Sequence, residues 1–138
     1  MSVALLLVTH GDIGRSMHDA AVTIIGSSPL RTQFIAVTAD GQPEQLINQA
    51  IEELAQLDSG DGVLVLTDMY GSTPSNIACA LQHRNVEVVA GLNLPMLMRI
   101  MNYPNLPLHR LTDKAVSGGK EGVMFFQAMS TQDATQRN

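Results

Sequence analysis

His10 and Asp68 are the residues of this 138-residue chain best placed to do chemistry. His10 follows six unbroken apolar or small residues, Val3 to Val8, and sits inside the turn signal Thr9-His10-Gly11. Such a run, stopped by a turn, reads as a strand buried on both faces. His10 then lies at the strand's carboxyl end, the edge at which open α/β sheets place their chemistry. Histidine serves most often as acid, base or nucleophile near neutral pH. The other reading of His10 is an ordinary polar residue in a strand-to-helix loop. Asp68 has the same setting, since Val63-Leu64-Val65-Leu66 runs into Thr67-Asp68. A carboxylate that accepts a hydrogen bond from one ring N–H fixes the tautomer and leaves the other nitrogen's lone pair free.

The turn after Asp68 adds a third feature. In Gly71-Ser72-Thr73-Pro74, Thr73 fits a helix N-cap and Pro74 the first helical position. A helix opened there points N–H groups and its positive dipole end toward the same edge. The hydroxyls of Ser72 and Thr73 add donors for phosphate oxygens. A well-capped helix without a ligand is the plainer alternative. Together, histidine, carboxylate and helix start describe a histidine that accepts and passes on a phosphoryl group.

These residues require a scaffold. Apolar residues at three- and four-residue steps predict helices over 13–25 (Ile13, Met17, Ala20, Ala21, Ile24) and from Pro43 through Leu54. Further helices are expected over 74–83, 95–101 and 108–116, and strands over 34–37, 63–66 and 86–90. Asp12 is placed to cap the first helix. Strands alternating with helices imply right-handed βαβ units and a largely parallel sheet. The expected fold is a doubly wound α/β open sheet of order 2-1-3-4, with His10 and Asp68 on the two lips of its switch-point crevice. The apolar stretch Val123 to Met129 reads as a final antiparallel edge strand. One domain over 1–129 and a frayed polar tail over 130–138 are expected.

Composition narrows the function. A net charge of −5 and a pI near 5.1 provide no basic stripe for nucleic acid or an anionic membrane surface. The single cysteine, Cys79, excludes an internal disulfide and reads as a small buried hydrophobe in a helix. No apolar run reaches the ~18 residues of a bilayer span, and no secretory signal is evident, so the default compartment is the cytoplasm.

The motifs Val8-Thr9-His10-Gly11, Thr67-Asp68-Met69-Tyr70-Gly71-Ser72-Thr73-Pro74, Gly91-Leu92-Asn93-Leu94-Pro95-Met96 and Gly119-Lys120-Glu121-Gly122-Val123 resemble the mannose-family enzyme IIA domains of the bacterial phosphoenolpyruvate:sugar phosphotransferase system (PTS). The resemblance covers residues 1–128. It implies that His10 is phosphorylated by the phosphocarrier HPr, that Asp68 orients the imidazole, and that the group passes to a IIB component. It also implies a homodimer with an exchanged C-terminal strand. Candidate phosphate-holding residues are Gly11, Gly71, Ser72 and Thr73, and no cofactor or metal is called for. Departures are Asp12, where relatives often carry an aromatic, and Tyr70-Gly71-Ser72-Thr73-Pro74, where they carry Trp-Gly-Gly-Ser-Pro. Asp12 puts a negative charge near a site that must carry phosphate. The sequence ends without the fused IIB domain seen in some relatives, so a stand-alone IIA is expected.

Other residues have plainer roles. His18 is expected to be solvated or supporting, His83 to end a helix, and His109 to lie at the surface. Met96, Met98 and Met101 read as core or dimer interface, and Lys120 and Arg15 as possible phosphate-steering cations. The rival functions are a regulatory phosphocarrier read by a sensor, the phosphoryl-donor subunit of a dihydroxyacetone kinase, and a flavodoxin-like small-ligand domain.

Overall fold

The structure, a computed structural model, describes residues 2–127. Its elements run β1 (Ala4–His10), α1 (Ile13–Ile25), β2 (Thr32–Val37), α2 (Pro43–Leu57), β3 (Val63–Thr67), α3 (Thr73–Cys79), β4 (Val86–Ala90), α4 (Leu94–Met101) and α5 (Leu108–Glu121). The strands form one sheet in the order β2-β1-β3-β4, with every neighbouring pair parallel. This is the expected doubly wound α/β arrangement.

Strand alternation divides the core in two. Leu5, Leu7, Leu64 and Leu66 face one layer with Ala21, Leu97, Ile100 and Leu111, drawn from α1, α4 and α5. Leu6, Val8, Val63 and Val65 face the other with Ala50, Leu54, Ile77 and Ala78, drawn from α2 and α3. β1 and β3 are therefore covered on both sides, which is why their sequences are continuous apolar runs. Each fully buried leucine contributes on the order of 1.5–3 kcal/mol, enough to fix the register that brings the two strand ends together.

Several expectations are corrected. The buried face of α1 is Gly14, His18 and Ala21, with Met17, Val22 and Ile25 packed beside it, while Ile13 and Ile24 are exposed. The helix is rotated because Gly14 presses onto β1: a Cβ there would lie 3.1 Å from Leu7 Cβ and from Thr9 Cγ2. His18, expected to be solvated or supporting, is buried rather than solvated. Asp12 makes no side-chain cap; the free Gly14 N–H is instead taken by Thr9 Oγ1 at 2.9 Å.

α3 stops at Cys79, leaving Cys79 exposed rather than buried. His83 consequently lies beyond the helix, its Nδ1 accepting the Asn85 N–H at 3.2 Å. α5 runs on through Gly118 and Gly119 to Glu121. These glycines are where α5 meets α4: a Cβ on Gly118 would lie 2.5 Å from Arg99 Cβ, and one on Gly119 2.9 Å from Met96 Cε. Asn93 joins the two helices, its side chain accepting from Met96 N at 2.9 Å and donating to Gly119 O at 3.1 Å. The expected edge strand is not formed over residues 123–127, which leave α5 as exposed irregular backbone. Ala128, Met129 and the tail over 130–138 lie outside the described residues.

Candidate functional site

Parallel pairing sets Val8 opposite Thr67, so the residues that follow leave the sheet side by side at its carboxyl edge. His10 Nδ1 lies 2.8 Å from Asp68 Oδ2, and the His10 backbone N–H donates to the same oxygen at 3.1 Å. The second carboxylate oxygen, Oδ1, accepts the Met69 N–H at 3.0 Å. The His10 side chain is 46% exposed and that of Asp68 13%. Burial pushes the Asp68 carboxyl up, but hydrogen bonds from the His10 ring and from backbone N–H groups outweigh it and hold its pKa below the ordinary value. A carboxylate only accepts, so in the neutral ring Nδ1 carries the hydrogen and Nε2 the lone pair. The arrangement can present an oriented ring nitrogen to solvent as a nucleophile.

The loops around the pair are tightly tied. Gly11 adopts φ +48° and donates its N–H to Val37 O at 2.9 Å, joining the His10 loop to the end of β2. Thr9 Oγ1 also donates to Gly11 O at 3.4 Å, so one buried threonine braces the whole β1–α1 turn. Gly71 adopts φ +84°, a left-handed conformation that a side chain would strain. Its N–H donates to Ser75 Oγ at 3.3 Å.

The N-cap of α3 is Ser72, not Thr73. Ser72 Oγ accepts from Ser75 N at 3.5 Å and donates its hydrogen to Met69 O at 2.6 Å. Thr73 is the first helical residue, exposed to solvent. Residue order alone allowed either hydroxyl to cap; the extended backbone at Ser72, φ −89° and ψ 173°, decides it. Thr9 and Ser75 were not singled out by sequence reasoning. The signal for Thr9 was a hydroxyl at the end of a buried strand with a glycine five residues on, and for Ser75 a serine three residues after Ser72.

The remaining candidates sit elsewhere. The Arg15 guanidinium stacks on Phe34, 4.4 Å from its ring centre. Lys120 lies in the last turn of α5, beside Gly91 and Asn93. His18 packs edge-on against Phe34 at 5.3 Å. His109 is at the surface, 3.5 Å from Glu87 Oε2. Met96 and Met101 are core residues, with Met98 packed against them. Among the described residues no three His, Cys, Asp or Glu side chains gather as a metal site would need. No helix among them is long and apolar enough to cross a membrane.

Comparison with known proteins places the chain in a family. The family model described as "PTS system fructose IIA component" matches residues 4–107. The chain is 31% identical over 138 residues to the "PTS system mannose-specific EIIAB component" of Escherichia coli (strain K12), covering 97% of this chain and 42% of that one. It is 28% identical over 116 residues to the "Transcriptional regulatory protein LevR" of Bacillus subtilis (strain 168), covering 79% of this chain and 12% of LevR. Its fold matches a solved mannose/sorbose specific IIA subunit from Enterococcus faecalis with a TM-score of 0.83 and 23% identity, covering 94% of this chain and 98% of that one. The chain belongs to the mannose/fructose-type IIA components of the phosphotransferase system.

Proposed function

We propose that this chain is a cytoplasmic phosphocarrier that takes a phosphoryl group from phospho-HPr onto His10 Nε2 and passes it to a IIB component during sugar uptake. The observation that carries this reading is the 2.8 Å contact between His10 Nδ1 and Asp68 Oδ2 beneath an exposed ring. In the transfer, the Nε2 lone pair forms a bond to phosphorus as the donor's P–N bond breaks. The bonding pair returns to the donor imidazole. The Nδ1 hydrogen stays in place, and Asp68 stabilises the positive charge that develops on the ring. Release to the acceptor is the same step with the roles exchanged.

The Thr73 hydroxyl and other backbone N–H groups of the two loops serve the phosphoryl oxygens, those of Gly11 and Gly71 themselves being taken by Val37 O and Ser75 Oγ. The Ser72 hydroxyl donates its hydrogen to Met69 O instead. Exposed Ile13, Met69 and Tyr70 border the site and offer an apolar rim to a protein donor rather than an enclosed pocket to a small molecule.

A homodimer belongs to the same reading. Val123, Met124, Phe125 and Phe126 are 73–85% exposed. A groove of about 290 Å³ lined by Val89, Met96, Val116 and Val123 runs beside the β4 edge. Strand edges and apolar segments of this kind pair with a second copy. A chain truncated after Gly122 then elutes as a monomer while the full chain does not.

The test of the phosphocarrier is incubation with phosphoenolpyruvate, enzyme I and HPr. An acid-labile phosphoprotein is expected from the wild type and none from His10→Ala; no label on the wild type refutes the reading. The similarity to LevR favours one alternative, a regulatory carrier whose phosphorylation state is sensed. Capture of a partner by only one of the phosphorylated and unphosphorylated forms, without onward transfer to IIB, identifies it.

A further inference from the structure

The carboxylate that orients His10 is itself held by a chain of contacts running back to the buried start of α3. Asp68 Oδ1 is fixed by Met69 N–H at 3.0 Å. The carbonyl of that residue receives two donors from Ser72: the hydroxyl at 2.6 Å and the backbone N–H at 3.3 Å. Ser72 Oγ in turn accepts from Ser75 N at 3.5 Å, and Ser75 Oγ accepts from Gly71 N at 3.3 Å. Ser75 is 1% exposed, whereas Met69, Tyr70 and Gly71 stand in solvent. An exposed turn with a left-handed glycine has many conformations of similar energy, and the two serine hydroxyls are what tie its peptides to α3.

We propose that Ser72 and Ser75 form a latch that positions Asp68, and through it the His10 ring, and that Ser72 is a positioning residue rather than a phosphate ligand. The proposal deepens the phosphocarrier reading and rests on it for its functional meaning. Its structural content is testable without any donor or acceptor. With the latch closed, the Met69 peptide is held so that its N–H meets Oδ1, and Oδ2 is left facing Nδ1 and the His10 N–H. With the latch open, the peptide rotates, Oδ1 loses its donor, and the carboxylate no longer selects one imidazole tautomer.

The experiment is 15N NMR of the histidine rings in unphosphorylated protein above the titration range of the imidazole. Wild-type His10 is expected to show two widely separated ring nitrogens, one protonated and one not. In Ser72→Ala the two resonances draw together as the tautomers mix. Ser72→Thr, which keeps the hydroxyl, restores the separation, and Ser75→Ala reproduces the loss from the buried side. Thr73→Val, outside the latch, leaves the separation as in wild type. The phosphorylation rate in Ser72→Ala falls by about 10-fold to 10²-fold, as a small misplacement of a reacting group would cause. A wild-type separation in both Ser72→Ala and Ser75→Ala overturns the proposal, and a slowed phosphorylation with an unchanged ring returns Ser72 to the role of phosphate ligand. Failure of the phosphocarrier reading would appear instead as absence of label on the wild type, whatever the ring resonances show.

Discussion

His10 and Asp68 meet twice: one carboxylate oxygen takes the backbone N–H of His10 at 3.1 Å and faces its ring Nδ1 at 2.8 Å. A single atom thus anchors both the main chain and the reactive ring. The two residues are 58 positions apart in sequence, joined because β1 and β3 are neighbours in the sheet.

Asp68→Asn is the sharpest probe of that contact. The amide can still bond the backbone N–H through its oxygen, but it carries no charge to balance the ring as Nε2 attacks. The expected loss in single-turnover transfer from phospho-HPr is on the order of 10²–10⁴-fold, by analogy with other oriented histidines. The fold is retained, as far-UV circular dichroism would show.

The pH dependence of stability follows from two groups shifted downward in the folded state. Asp68 is held below its ordinary value by its hydrogen bonds despite burial. Its contribution is therefore full above the usual carboxylate range and is lost as the pH falls through the folded pKa. His18 is lowered chiefly by desolvation, with Arg15 adding to the effect and Asp19 opposing it. Its stabilisation is complete above the ordinary value of 6.5 and declines as acid protonates the unfolded chain first. Urea midpoints measured from pH 8 downward are expected to fall below about pH 6.5 in wild type. That fall is expected to be smaller in His18→Phe, with the carboxylate-linked loss below pH 4 unchanged in both.

Two buried threonines at the ends of adjacent strands give a controlled comparison. Thr9 Oγ1 satisfies the Gly14 N–H, whereas Thr67 Oγ1 is buried with no partner among the described residues. Thr9→Val strands a buried amide and costs about 1–3 kcal/mol, while Thr67→Val removes an unpaired hydroxyl and is neutral or stabilising by about 1 kcal/mol. Chemical denaturation of the two variants measures the difference.

Gly118→Ala tests the contact between α4 and α5. The added methyl meets Arg99 Cβ at 2.5 Å, so the helices must separate. Although alanine favours a helix, overpacking of this kind costs about 1–3 kcal/mol and the melting temperature falls.

The fold and the central pair were legible in the sequence because both rest on short-range patterns. Val3–Val8 and Val63–Leu66 are apolar without interruption, which happens when a strand is covered on both faces. Histidine and aspartate mark the points where those runs stop. What was not legible depended on close approach between elements. α1 turns Gly14 and His18 inward and Ile13 outward because Gly14 must fit against Leu7 and Thr9, a constraint hydrophobic spacing does not carry. The extension of α5 through Gly118 and Gly119 was hidden for the same reason. Glycines reduce helix propensity locally, yet here they admit Arg99 and Met96. The exchange of cap roles between Ser72 and Thr73 turned on one backbone dihedral, to which adjacent hydroxyl residues give no clue.

Because the grip on His10 uses Nδ1 and the main chain, it leaves Nε2 out of the scaffold altogether. A phosphoryl group carried at Nε2, as proposed, would leave both contacts in place. A partner that reads the added negative charge would then discriminate less well as ionic strength rises.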